Sequence, residues 1–213
     1  MTPQEFITSN AALMVPPLVP EIKLYLATEV VPLWRATEEE LAEFGVPPPY
    51  WAFAWAGGQA LARYVLDHPQ LVAGKSVLDI GAGSGLVAIA AAMAGASSVL
   101  AADIDSFSCA AIRLNAAANQ CSVTVTQDDM IGAAGNWDII LVGDLFYERP
   151  LAERLLAWLT PLGVPALLGD PGRNYFPKER VKRRATYTVQ TTRDLEDREI
   201  RETGVYSLIG RRD

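Results

Sequence analysis

The sequence predicts an α/β protein: an open, mostly parallel sheet with helices on both faces, preceded by an N-terminal helical cap. Three observations carry this. From Lys75 onward, short apolar runs alternate with helical stretches, the pattern of βαβ units. The first of those runs passes straight into a glycine-rich turn, Gly81-Ala82-Gly83-Ser84-Gly85. The chain ahead of Lys75 reads instead as helical and irregular, broken by Pro16-Pro17, Pro20 and Pro47-Pro48-Pro49. The expected organisation is an extension over residues 1–54 and a main domain over 55–213, together one structural unit.

The elements follow in order. Ser76–Ile80 is a strand and the alanine-rich Leu86–Ala94 its helix. Ser98–Asp103 is the next strand, then a helix over Phe107–Ala118. Val123–Thr126 is a short strand and Trp137–Gly143 an apolar central one. Pro150–Leu159 opens on proline, which the first helical turn tolerates, and spaces Leu151, Leu155 and Leu159 along one face. Val164–Gly169 is a fifth strand, and Lys178–Arg184 is expected as a basic helix. Thr186–Thr191 and Tyr206–Gly210 close the sheet as an antiparallel pair, and Gly58–Leu66 is a helix ahead of the sheet.

Bulk properties exclude several classes. The chain has 213 residues, half of them apolar and 20% charged, enough for a core and too little charge for disorder. No apolar run approaches the ~18 residues that would span a bilayer. A net charge of −7 argues against an obligate nucleic-acid binder. Cys109, Cys121 and the lone His68 offer no metal cluster or disulfide framework; both thiols are expected reduced, and His68 sits at a helix end. The start, Met1-Thr2-Pro3-Gln4-Glu5, lacks the basic residues of a leader peptide, so a cytoplasmic protein is expected, and a monomer. Seven acids in residues 1–50, against Lys23 and Arg35, give an acidic face that would suit a basic partner; six basic residues gather in 173–184.

The sharpest signal is Val77-Leu78-Asp79-Ile80-Gly81-Ala82-Gly83-Ser84-Gly85. A strand enters a turn that needs permissive backbone angles and lets a ligand approach the main chain. Asp103 stands 22 residues after Gly81, where a carboxylate grips the ribose hydroxyls of a nucleoside. The spacing is G-x-G-x-G, with Leu86 where a dinucleotide fingerprint wants a small residue. Asp79 near the loop would repel a pyrophosphate but suits an ammonium. S-adenosylmethionine, with a sulfonium, an amino group and no phosphate, is the expected cofactor.

Over roughly residues 55–213 the sequence resembles the seven-strand (class I) methyltransferases, which implies a seven-strand Rossmann-like sheet. By that resemblance Gly81 and Gly83 line the methionine part, Asp103 holds the ribose, and Asp128 contacts the adenine amino group, with Asp129 the alternative. Asp79, Ala82, Ile104 and Asp144 complete the implied cofactor set with Trp55, which is placed against the adenine. After the fourth strand of the main sheet, Asp144-Leu145-Phe146-Tyr147 resembles the DxxY signature of seven-strand protein lysine methyltransferases. Pro47–Ala62, Gly143–Glu148 and Gly169–Arg173 together resemble the electron-transfer-flavoprotein β-subunit lysine methyltransferases, bacterial members included. The resemblance implies a lysine-bearing protein as partner, with S-adenosylhomocysteine as the cofactor product.

The chemistry then assigns roles. A free lysine, with a pKa of ~10.4, must lose a proton before it can attack. Asp144 alone would stabilise the ammonium, while the sulfonium and an aromatic wall of Phe146, Tyr147 and Trp51 push the other way. Asp144 is therefore expected to capture and align the lysine and Tyr147 to shape the slot, with no general base identifiable. Gly169–Arg173 either orients the substrate chain or is a simple turn. The alternatives are a ribosomal-protein methyltransferase, a small-molecule methyltransferase, and a silent cofactor-binding module.

Overall fold

The computed structural model describes residues 2–27, 48–191 and 200–208. Helix α1 (Pro3–Asn10) opens on a capping box: Thr2 accepts from the Glu5 amide and Glu5 reaches back to the Thr2 amide. A two-stranded ladder follows, β1 (Ala12–Met14) against β2 (Leu24–Leu26). A 3₁₀ turn (Tyr50–Ala52) leads into α2 (Ala56–Asp67). The main domain then runs β3 (Ser76–Ile80), α3 (Leu86–Met93), β4 (Ser98–Ala102), α4 (Ser106–Ala118), β5 (Thr124–Thr126), β6 (Ile139–Gly143), α5 (Arg149–Leu162), β7 (Ala166–Asp170), β8 (Val181–Gln190) and β9 (Ile200–Leu208). Glu29, Arg35, Glu38, Glu39, Glu40 and Glu43, most of the acidic leading face, lie outside the described residues, as do Pro47, Ile209 and Gly210.

The main sheet has seven strands in the order β5-β4-β3-β6-β7-β9-β8. Strands β3 to β7 are mutually parallel, and β9 enters antiparallel between β7 and β8. Alternation along each strand splits the core in two. Val77, Leu141 and Leu167 face α2 and α3, meeting Leu61, Val65, Val87 and Ile89. Leu78, Ile80, Ile140 and Val142 face the other way, onto Leu155, Trp158 and Leu159 of α5. Pro150 sits in the first turn of α5 and Gly163 closes it in the left-handed conformation.

The leading segment is fastened to α4. Asn115 accepts from the Tyr25 amide at 2.7 Å and Asn119 from the Lys23 amide at 2.9 Å. Ile7, Trp51 and Phe53 bury a satellite core against Ala110 and Ala111 of the same helix. The sequence reading gave this segment no strands, so the β1–β2 ladder is an addition to the helical cap.

One element differs in kind. The basic helix expected over Lys178–Arg184 is only a 3₁₀ turn at Lys178–Arg180, and the chain from Val181 is strand β8. The reason is the period-2 alternation of Ala185, Tyr187 and Val189, which turn inward while Thr186, Thr188 and Gln190 face solvent. A register shift between Arg183 and Ala185 lets the charged start of the strand join the ladder. The closing pair is accordingly longer than the sequence suggested.

Candidate active site

The parallel strands end at one edge, and their order fixes what meets there. Asp128 follows β5, Asp103 follows β4, the glycine loop follows β3, Asp144 follows β6 and Arg173 follows β7. Side by side along the edge, these loops bound a cavity of about 520 Å³ at the carboxyl ends of the strands, where open α/β sheets bind ligands. Tyr50 and Trp55, from the turn and the start of α2, form another part of its wall.

At one end the glycine loop adopts backbone angles that only glycine takes easily: φ is +62° at Gly81, +52° at Gly83 and +81° at Gly85. The Gly83 amide donates to Asp103 Oδ2 at 2.8 Å, and the Asp105 amide donates to Oδ1 at 3.0 Å. Asp105 in turn caps α4 through the amides of Phe107 and Ser108. Burial pushes the Asp103 carboxyl above the usual range, against the pull of those amides. Ile104, 71% exposed, lies over the cavity beside it.

Two residues expected at the cofactor do not face the cavity. Asp79 is 1% exposed within β3, with Oδ2 unpartnered, and burial raises its carboxyl to about 8. It sits behind the loop, because its place in the strand turns it away from the sheet edge. Ala82 donates its amide to Ala102 O and packs its side chain on the core, so it shapes the turn.

The two carboxylates expected on the adenine side differ in their partners. Asp129 is ion-paired with Arg154 at 2.6 Å, which holds its carboxyl below the usual range. The Asp128 carboxylate accepts from the Thr126 hydroxyl at 2.6 Å, its own amide donates to that hydroxyl at 3.2 Å, and the residue lines the cavity.

The other end is built around Asp144, which takes the left-handed conformation at φ +60° although it is not glycine. That placement costs ~1–2 kcal/mol in an L-residue, so its surroundings must hold it there. They do: the Gly57 amide donates to Oδ2, and Arg173 Nε donates to Oδ1 at 2.6 Å. Burial raises the Asp144 carboxyl, and Arg173 is the leading influence pulling it back. The Arg173 guanidinium carbon lies 5.7 Å from the Trp55 ring centre, a cation–π distance. Its backbone amide donates to Asp170 at 2.7 Å, so the same turn is fixed at both main chain and side chain.

The aromatic wall differs from expectation. Tyr147 lines the cavity, 6.0 Å from Tyr50, and Tyr50 stands 6.1 Å from Trp55. Phe146 is fully buried against Phe176, on the opposite side of the turn after β6 from Tyr147. Trp51 is in the satellite core under α1, not in the wall. Tyr50 takes that place; its position just ahead of the Trp51–Trp55 run was the only hint in the sequence. Burial pushes the Tyr147 phenol up to about 12, which favours its protonated form.

Among the described residues the cavity lining holds five carboxylates (Asp103, Asp105, Asp128, Asp129, Asp144) against Arg154 and Arg173, each arginine already ion-paired. That balance repels a pyrophosphate and fits a ligand with a sulfonium and an ammonium. The residues therefore fit S-adenosylmethionine, and fold and site define a class I S-adenosylmethionine-dependent methyltransferase.

Comparison with known proteins narrows the class. Residues 60–145 match the family model described as ribosomal protein L11 methyltransferase (PrmA), a stretch that spans the glycine loop. An electron transfer flavoprotein β-subunit lysine methyltransferase of Xenopus laevis is 41% identical over 97% of this chain and 87% of its own. That of Mus musculus is 41% identical over 82% of this chain and 70% of its own. Among solved structures, magnesium protoporphyrin IX methyltransferase from Synechocystis PCC 6803 shares the fold, with TM-score 0.56 and 18% identity over 72% of this chain and 80% of that one. The chain belongs to the electron transfer flavoprotein β-subunit lysine methyltransferase family.

Proposed function

We propose that this protein transfers methyl groups from S-adenosylmethionine to lysine side chains of the electron transfer flavoprotein β subunit. The observation that carries the reading is the Asp144–Tyr147 turn. It joins a buried carboxylate to a collar of Tyr50, Trp55 and Tyr147 in the cavity that the glycine loop opens on. A flat aromatic collar suits a long apolar stem ending in nitrogen. The names of the relatives support the same substrate.

In this reading the backbone at Gly81, Ala82 and Gly83 shapes the loop around the methionine part, and Asp103 takes the ribose hydroxyls. Ile104 covers the nucleoside and Asp128 receives the adenine amino group. Asp79 acts from behind as a buried support for the loop. Trp55 frames the acceptor end beside Arg173, away from the β4 and β5 loops where the adenine would lie. When bound, the cofactor would supply an electrophilic methyl group, the carbon–sulfur bond breaking as the lysine nitrogen forms its bond to that carbon, with S-adenosylhomocysteine as the product. Asp144 aligns the nitrogen, Tyr147 narrows its approach, and positioning supplies much of the rate.

No helix among the described residues is long and apolar enough to cross a membrane. The free thiols of Cys109 and Cys121 fit a reducing compartment, and we place the protein in the cytoplasm.

The test is methyl transfer from labelled S-adenosylmethionine to purified flavoprotein β subunit, with ribosomal proteins offered at equal concentration. Labelling of the β subunit, lost in Asp144→Ala while cofactor binding persists, is the expected result. Preference for the ribosomal proteins would keep the chemistry and move the substrate. Labelling of neither would remove the reading.

A further inference from the structure

Methyl transfer consumes a neutral amine, yet the acceptor end of the cavity is built on a carboxylate. A bare carboxylate beside a lysine stabilises the ammonium and blocks the reaction. In the structure that carboxylate is not bare. Arg173 Nε donates to Asp144 Oδ1 at 2.6 Å, with the two side chains only 18% and 7% exposed. The guanidinium stays charged at any pH a protein survives. Arg201 adds a second positive influence on Asp144. The neighbouring Asp170, whose carboxyl burial pushes up to about 7, is the nearby group that gains charge as pH rises through neutrality. Arg173 is also held in place, over the Trp55 ring and by its own backbone bond to Asp170.

We infer that Arg173 sets the protonation state of the incoming lysine, by cancelling the charge of Asp144 so that the carboxylate can align the nitrogen without holding its proton. The inference rests on the lysine reading above. The lysine enters as an ammonium, gives one proton to solvent at the cavity mouth, and presents its lone pair to the methyl carbon. Without Arg173 the amine and Asp144 would share that proton, and the lone pair would be engaged whichever group carried it. Arg173 is thus a positioning residue that acts through Asp144. It also explains why Asp144 need not serve as a base.

The experiment is a pH–rate profile of kcat/KM for methylation of the purified β subunit, from about pH 6.5 to about pH 10, across the ordinary lysine range. Wild type, Arg173→Lys, Arg173→Gln and the double variant Arg173→Gln/Asp144→Asn are compared, with cofactor affinity and thermal midpoint measured for each. The rising limb of Arg173→Gln is expected about one pH unit or more above that of wild type, with the two rates converging at high pH. Arg173→Lys keeps the limb near its wild-type position. The double variant returns it there at a lower rate; if Arg173→Gln does not fold, Arg173→Met takes its place and must show the same raised limb. A uniform loss at every pH with the limb unmoved would make Arg173 a mere clamp and overturn the inference. So would a double variant whose limb stays raised. A wild type that methylates no β subunit at any pH overturns the lysine reading itself, and this inference with it.

Discussion

Gly57 and Gly169 meet backbone to backbone: a Cβ on Gly57 would fall 2.3 Å from Gly169 O, and one on Gly169 would fall 2.1 Å from Gly57 O. This contact presses the start of α2 onto the end of β7, and it is what brings the Gly57 amide to Asp144. Any side chain at either position forces the helix off the sheet edge. Gly57→Ala and Gly169→Ala are each expected to destabilise the protein by about 1–3 kcal/mol, the usual cost of overpacking. Both should also lower turnover more than cofactor affinity, because the displaced amide serves the Asp144 end. Chemical denaturation with parallel calorimetry decides it. Wild-type stability in both variants would show that the helix start yields freely.

Asp103 ties the glycine loop to the nucleoside end through the Gly83 amide. Asparagine keeps the shape and one acceptor but loses the charge. Hydrogen bonds to a charged group contribute ~1.5–3 kcal/mol, so Asp103→Asn should weaken cofactor binding by roughly ten- to a hundredfold. Calorimetric titration with S-adenosylhomocysteine measures it directly, and an unchanged affinity would remove Asp103 from the ribose.

Asp79 gives the fold a pH dependence of defined sign. Burial raises its carboxyl from 3.8 to about 8 in the folded chain, while the unfolded chain keeps the ordinary value. Between those values the folded state holds a proton that the unfolded state has released. Stability from this group is therefore full below about pH 4 and is lost as pH rises through about 8. The loss is on the order of a few kcal/mol. Asp79→Asn, which can still accept the Ala88 bond, should be more stable than wild type at pH 8.5 or so and lose that advantage in mild acid. Denaturation of the cofactor-free protein at the two pH values tests this. A stability difference independent of pH would mean that Asp79 titrates normally.

What the sequence made legible is what local spacing encodes. The glycine loop, Asp103 and the turn after β6 lie within single βαβ steps, so the motif reading placed them correctly at one sheet edge. The Asp144–Arg173 pair spans 29 residues and the Gly57–Asp144 bond 87, and both exist only because β6 lies beside β7 with α2 across their ends. No one-dimensional pattern records that adjacency. Gly169–Arg173 was accordingly left open between substrate contact and simple turn. The reading of β8 failed for another reason: its three basic residues, Lys182, Arg183 and Arg184, dominated the pattern, while the inward Ala185, Tyr187 and Val189 make it a strand.

Asp128 and Asp129 are adjacent carboxylates with opposite commitments, and substitution separates them. Asp129 pairs with Arg154, but both side chains are about half exposed (44% and 55%), and such surface pairs contribute only ~0–1 kcal/mol. Asp129→Asn should therefore cost less than about 1 kcal/mol of stability and leave cofactor affinity near that of wild type. Asp128 holds only its own turn, through Thr126, and offers its remaining acceptor capacity to the cavity. Asp128→Ala should weaken the cofactor by roughly tenfold, the loss of about one hydrogen bond to a charged acceptor, with little change in stability. Competition between S-adenosylhomocysteine and its analogue lacking the adenine amino group sharpens the result. Wild type should prefer the natural ligand, Asp128→Ala should bind both alike, and Asp129→Asn should keep the preference. Loss of preference in Asp129→Asn instead would move the adenine contact one residue along the chain, with the Arg154 pair opening to admit the ligand.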